Sequence, residues 1–207
     1  MIISHRHKFI FFAVPKTATH SIREALRTHI SAGDWEQQAL LGKQVLPIEE
    51  IAQLQHGHIT VQQIKAVLAE DVWRSYYKFA FVRNPFDRFV SICFFLNRNN
   101  PQFEKNALDW MKIAISRDRF KRRILARPQI EQLADESNQL ALDYVGRYED
   151  LQASMDCILD HLQLARVDLN VVNSSAHAGY DGLFDAELRE SVATFYAEDL
   201  DRFDYVF

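Results

Sequence analysis

The 207-residue chain has few residues that break or cross-link a backbone: six glycines, five prolines and two cysteines. So little Gly and Pro argues against a loop-rich or collagen-like fold. Two cysteines, Cys93 and Cys157, cannot build a disulfide scaffold, and no Cys/His spacing of the zinc type occurs, so no metal site is expected. Each cysteine lies in an apolar, helix-like stretch, which predicts two buried free thiols. An excess of one charge is also missing. Lys and Arg number 24 against 28 Asp and Glu, for a net −4. That balance excludes a general nucleic-acid binder, so any anion site must come from a local cluster. Long apolar runs are absent too. Phe9 to Pro15 spans seven residues, far below the roughly 20 needed to cross a bilayer, and no small-residue cleavage site follows. The expectation is a cytoplasmic protein with no membrane partner.

What is present is a large apolar and aromatic complement: 48% hydrophobic residues, fifteen Phe and seven Tyr. This suffices for one well-cored domain over residues 1–207. Phe9 to Val14 is continuously apolar and is ended by Pro15, as in a strand buried on both faces. Ile22, Ala25, Leu26, His29 and Ile30 then fall at helical spacing, and Gly33 and Asp34 close the helix. Tyr76 to Val82 is a second strand-like run, stopped by Arg83-Asn84-Pro85. The helix that follows carries Phe86, Phe89, Val90, Cys93 and Phe94 on one side. Leu142 to Arg147 reads as a third strand, Leu151 to Leu162 as an amphipathic helix, and Glu187 to Ala197 as the last helix. The alternation predicts an α/β domain, P-loop-like and three-layered, with a mainly parallel central sheet flanked by helices.

Two strand-to-helix junctions carry anion-binding chemistry. Val14-Pro15-Lys16-Thr17-Ala18-Thr19-His20-Ser21 precedes a helix whose N-terminus offers unpaired amides and a positive dipole end. Lys16 adds a point charge, and Thr17, Thr19 and Ser21 add hydroxyls. No glycines precede the lysine, so this is not a Walker A loop. Ala18 calls for an ordinary backbone angle. At the second junction Arg83 ends a strand and Ser91 follows two helical turns later, a guanidinium and a hydroxyl suited to a phosphate monoester. Arg88 is expected to pair with an acid. Between the junctions lies His56-Gly57-His58, with imidazoles that titrate in the range of a general base.

VPKTATHS and FVRNPFDRFVS resemble, in order, two nucleotide-binding segments of the sulfotransferases that use 3′-phosphoadenosine 5′-phosphosulfate (PAPS). GRYEDL at Gly146–Leu151 and YAEDLDRFDY at Tyr196–Tyr205 look like the Golgi-type carbohydrate branch of that family. The His-Gly-His is similar to that of the uronyl 2-O-sulfotransferases. The resemblance implies a short soluble relative that moves a sulfuryl group from PAPS to a hydroxyl of a carbohydrate acceptor, releasing PAP. It implies that Pro15, Lys16, Thr17, Ala18, Thr19, His20 and Ser21 hold the 5′-phosphosulfate. Arg83 and Ser91 would hold the 3′-phosphate, and Asn173 and Ser174 would lie in a lid over the nucleotide. The catalytic set would be His58 as base, Lys16 at the leaving oxygen and His56 in support. His20 departs from the Ser or Thr usual in relatives.

Arg117, Arg119, Lys121, Arg122, Arg123 and Arg127 crowd into eleven residues. They are either a solvated helix face or a docking strip for an acidic glycan. The His-Gly-His likeness also raises a homo-oligomer. Two further readings stay open: a catalytically inactive PAP-binding protein, and a P-loop-type phosphoryl-transfer enzyme.

Overall fold

The computed structural model describes residues 1–38, 45–169 and 179–207. In chain order its elements are β1 (Ile2–Ser4), β2 (Phe9–Phe12), α1 (Thr19–Arg27), β3 (Trp35–Glu36), α2 (Glu49–Ala52), α3 (Val61–Lys65), α4 (Glu70–Ser75), β4 (Tyr77–Val82) and α5 (Pro85–Leu96). There follow α6 (Ala107–Ser116), α7 (Asp118–Lys121), α8 (Gln129–Leu133), β5 (Tyr144–Arg147), α9 (Leu151–His161), α10 (Ala186–Phe195) and α11 (Ala197–Arg202). The chain divides into two compact units, one drawn from Met1–Val82 and Ile130–Val172, the other from Arg83–Gln129 and Asn173–Phe207.

The first unit is built on a five-stranded sheet of order β3-β1-β2-β4-β5. β2, β4 and β5 run parallel, whereas β1 is antiparallel to both β2 and β3. Four of the five strands therefore share one direction, as in the mainly parallel sheet expected, and β1 alone runs against them, so the two pairings it makes are antiparallel. The short β1 and β3 escape sequence reading because neither is long enough to show a period. β2 and β4 are buried along nearly their whole length, which explains their unbroken apolar runs. Phe9, Phe11, Ala13, Phe79 and Phe81 form one core with Ile22, Ala25 and Leu26 of α1 and with Leu151, Met155, Ile158 and Leu159 of α9. Phe12 meets the Trp73 ring of α4 edge-on at 6.4 Å. Successive strand residues point to opposite faces, so α4 packs opposite α1 and α9.

The second unit is helical. Asn84 caps α5 by accepting from the Phe86 amide, and Pro85 occupies the first helical position, where its missing N–H costs nothing. Phe86, Phe89, Val90 and Cys93 of α5 pack with Met111 and Ile115 of α6 and with Leu188 and Val192 of α10. The final helical stretch is broken at Tyr196, so α10 ends at Phe195 and α11 follows. The buried Tyr196 hydroxyl donates to the Ala126 carbonyl at 2.7 Å. Cys93 is buried as expected, but Cys157 is exposed on α9. Among the described residues no helix is long and apolar enough to cross a membrane.

Candidate active site

The loop between β2 and α1 leaves the sheet at the carboxyl ends of parallel strands. β2 and β4 are in register at Phe12 and Ala80, so both end at the same edge, where open α/β sheets place ligands. Two of its non-glycine residues are left-handed: Lys16 with φ 69° and Ala18 with φ 59°. Ala18 thus departs from the ordinary angle expected of it. A left-handed alanine costs about 1–2 kcal/mol. That conformation lets Ala18 turn the chain sharply into α1, which begins at Thr19 with no side-chain cap and no acid in its first turn. An uncapped helix start with its positive dipole end outward suits an anion.

The hydroxyls of this loop divide. Thr17 is fully buried and donates to the Val14 carbonyl at 2.9 Å. It shapes the loop from inside, and its hydroxyl hydrogen is not offered to a ligand as expected. Ser21 is 5% exposed, and its Oγ is a buried polar atom with no hydrogen-bond partner among the described residues. Such an atom costs about 1–3 kcal/mol unless something fills it. An anionic oxygen at the start of α1 would do so. Pro15 is buried, Lys16 and Thr19 are half-buried, and His20 is exposed.

His56-Gly57-His58 is held against this same strand end. The His58 Nδ1 lies 2.7 Å from the carbonyl oxygen of Ala13, three residues before Lys16. A carbonyl can only accept, so Nδ1 carries the hydrogen and Nε2 carries a lone pair. Burial drives the His58 pKa down to about 3, against the opposing pull of the Ala13 carbonyl; the electrostatic effects of the Met1 amine and Arg23 add to the fall. The ring is therefore neutral at pH 7. The His56 ring lies nearly parallel to it at 6.4 Å between centroids.

The turn before His58 is pinned from several sides. The Gly57 carbonyl accepts from the Met1 amine at 2.7 Å and from Arg23 at 3.4 Å, and the His56 carbonyl accepts from Gln37 at 3.0 Å. Arg23 is itself buried and paired with the buried Glu36 at 2.7 Å. Burial lowers the Arg23 pKa, and the Arg27 and Arg23 contacts outweigh burial to hold the Glu36 carboxyl below its usual range. A Cβ at position 57 would stand 2.4 Å from the Gln37 carbonyl oxygen, so only glycine fits. After His58, Thr60 and Gln63 form a capping box that starts α3.

In the second unit, Arg83 and Ser91 are 5% and 4% exposed, at the head of α5 and two turns along it. The Arg83 Nε donates to Asp87 at 2.7 Å. Gln129 grips the Arg83 backbone on both sides, accepting from its amide at 3.0 Å and donating to its carbonyl at 2.9 Å. Arg88 is 1% exposed and donates to the carbonyls of Leu125 and Arg127. Burial lowers its pKa, while Tyr196 and Asp199 act the other way. The buried guanidinium is thus held in part by backbone carbonyls, with the Asp199 carboxylate acting on it electrostatically. Arg117, Arg119, Arg122, Arg123 and Arg127 are exposed, and Lys121 lies over the Phe195 ring. Asn173 and Ser174 lie outside the described residues.

Four residues were not singled out by sequence reasoning: Arg23, Asp87, Gln129 and Gln132. Asp87 could have been found, because an acid four residues after Arg83 on a helix start is a standard ion-pair spacing. The others act on backbone carbonyls far away in sequence, which leave no local pattern.

A family model described as the Sulfotransferase family matches residues 1–206, nearly the whole chain. Comparisons with curated proteins and with solved structures each found no match. The chain belongs to the sulfotransferase family, and its chemistry is sulfuryl transfer.

Proposed function

We propose that this protein transfers the sulfuryl group of PAPS to a hydroxyl of a carbohydrate acceptor, with His58 as the general base. The orientation of His58 carries the reading: its proton is committed to Ala13, and its Nε2 lone pair is left on a ring beside the Lys16 loop. A base must be unprotonated before it acts, and burial keeps this imidazole neutral. An anionic donor close by would raise its proton affinity as the reaction proceeds. PAPS supplies the sulfuryl group and leaves as PAP. The α1 N-terminus and the Ser21 hydroxyl, which has no partner among the described residues, fit its 5′-phosphosulfate, and the buried Arg83 and Ser91 fit a 3′-phosphate. Lys16 stabilises negative charge on the departing oxygen, and His56 supports the base.

The test is PAP release from PAPS with a panel of mono- and disaccharide acceptors, alongside PAP binding by calorimetry. Lys16→Ala should lower turnover by about two to three decades, the worth of one preorganised charged donor, with PAP affinity changed far less. His58→Ala should abolish transfer while PAP still binds. Wild-type turnover in either variant at saturating donor would remove that residue from its role.

A further inference from the structure

We propose that Gln132 is a positioning residue that holds His58 in its Nδ1–H form beside the phosphosulfate loop. The inference rests on His58 being the base. Gln132 sits on α8 and is 5% exposed. Its amide nitrogen donates to the Ala13 carbonyl at 3.1 Å and to the Ile59 carbonyl at 3.2 Å. An amide nitrogen has two hydrogens, and here each has its own acceptor.

Ala13 lies just past the last laddered residue of β2, Phe12, so its carbonyl is beyond the strand pairing. The two lone pairs of that oxygen receive the His58 Nδ1–H and the Gln132 amide. Ile59 directly follows His58, and Ala13 precedes Lys16 by three residues. One buried side chain therefore ties the strand end that launches the loop to the backbone that carries the base. It holds the Ala13 oxygen where only the Nδ1–H tautomer of His58 can meet it. Without that hold the carbonyl can rotate away. A neutral imidazole released to solvent favours the Nε2–H form, in which Nε2 cannot take a proton from an acceptor hydroxyl.

The experiment is long-range proton–nitrogen NMR of His58 in the full-length, ligand-free, nitrogen-15-labelled protein, paired with steady-state kinetics. In the wild type, Nδ1 should show the shift of a protonated ring nitrogen and Nε2 that of a bare one. Gln132→Leu keeps the bulk and removes both donors. It should bring a mixture of tautomers and lower kcat on the order of 10- to 100-fold, the usual cost of a slightly misplaced group, with the KM for PAPS nearly unchanged. A wild-type His58 protonated at Nε2 overturns the proposal, and so does a Gln132→Leu protein with unchanged spectrum and kcat. If that variant does not fold, Gln132→Met, which also lacks both donors but has a flexible, near-isosteric side chain, is read in the same two measurements, and an unchanged spectrum and kcat there overturn the proposal. Transfer retained by His58→Ala would overturn the base assignment while the tautomer result stood, so the two failures are separable.

Discussion

Arg83 serves the fold and, in the proposed function, ligand recognition as well. Its backbone is gripped on both sides by Gln129, and its Nε is paired with Asp87 four residues along α5. Both side chains of that pair are largely buried, and removing one partner leaves the other charge uncompensated. The same guanidinium is the proposed holder of the 3′-phosphate. Arg83→Ala should therefore weaken PAP binding by about 10- to 100-fold, equivalent to the 1.5–3 kcal/mol of a charge-assisted hydrogen bond. Adenosine 5′-phosphosulfate, which lacks the 3′-phosphate, should lose much less. Calorimetry with both ligands reads the difference, and equal losses would sink the assignment. The variant Arg83→Lys, which keeps charge without the planar fork, should recover only part of the loss.

At the scale of elements, the short segments that set the site are held mainly by contacts outside themselves. The His56–His58 turn belongs to no helix or strand, yet a buried Arg23–Glu36 pair, Gln37 and the capping box of α3 hold it. Gly57 is the point of closest approach. A methyl group there would meet the Gln37 carbonyl oxygen at 2.4 Å and the Arg23 guanidinium at 2.8 Å, and the first of these is backbone that cannot swing aside. Gly57→Ala should thus destabilise the protein by about 1–3 kcal/mol, as overpacking does. It should also lower turnover by moving His58. Urea unfolding and PAP-release kinetics measure the two effects, and an unchanged unfolding midpoint would contradict the packing seen at this turn.

At the scale of the whole molecule, acid should weaken the fold in a way traceable to His58. The unfolded chain binds a proton at a histidine below pH about 6.5. The native ring, with its pKa near 3, does not. Between those values the unfolded state holds more protons, so stability falls as pH drops from about 6.5 toward 3. His29, whose pKa burial also lowers, adds with the same sign. His58→Asn, which keeps an N–H for the Ala13 carbonyl but cannot titrate, should show a shallower decline in urea midpoint over that range. Parallel curves for the two proteins would mean that His58 is not buried neutral in solution.

Much of this protein is legible without its fold. Phe9 to Val14 and Tyr76 to Val82 are apolar throughout because β2 and β4 are buried on both faces, and the proposed ligand loops follow each of them directly. The strand-to-helix junctions, the Arg83-to-Ser91 spacing and the His-Gly-His are local features, and local features survive in the order of residues. Other assignments depend on where side chains point. Thr17 turns inward, Ala18 adopts a left-handed angle without glycine, and Cys157 faces solvent. The strands β1 and β3 become visible only through pairing, which adds one reversed strand, β1, to a sheet whose other four strands share a direction. The sequence by itself determined which residues could bind an anion or take a proton. Tertiary structure decided which nitrogen of His58 keeps its proton, through a carbonyl 45 residues away, and which side chain braces that carbonyl, from 119 residues away. A backbone carbonyl is chemically the same at every position, so only folding could single out Ala13.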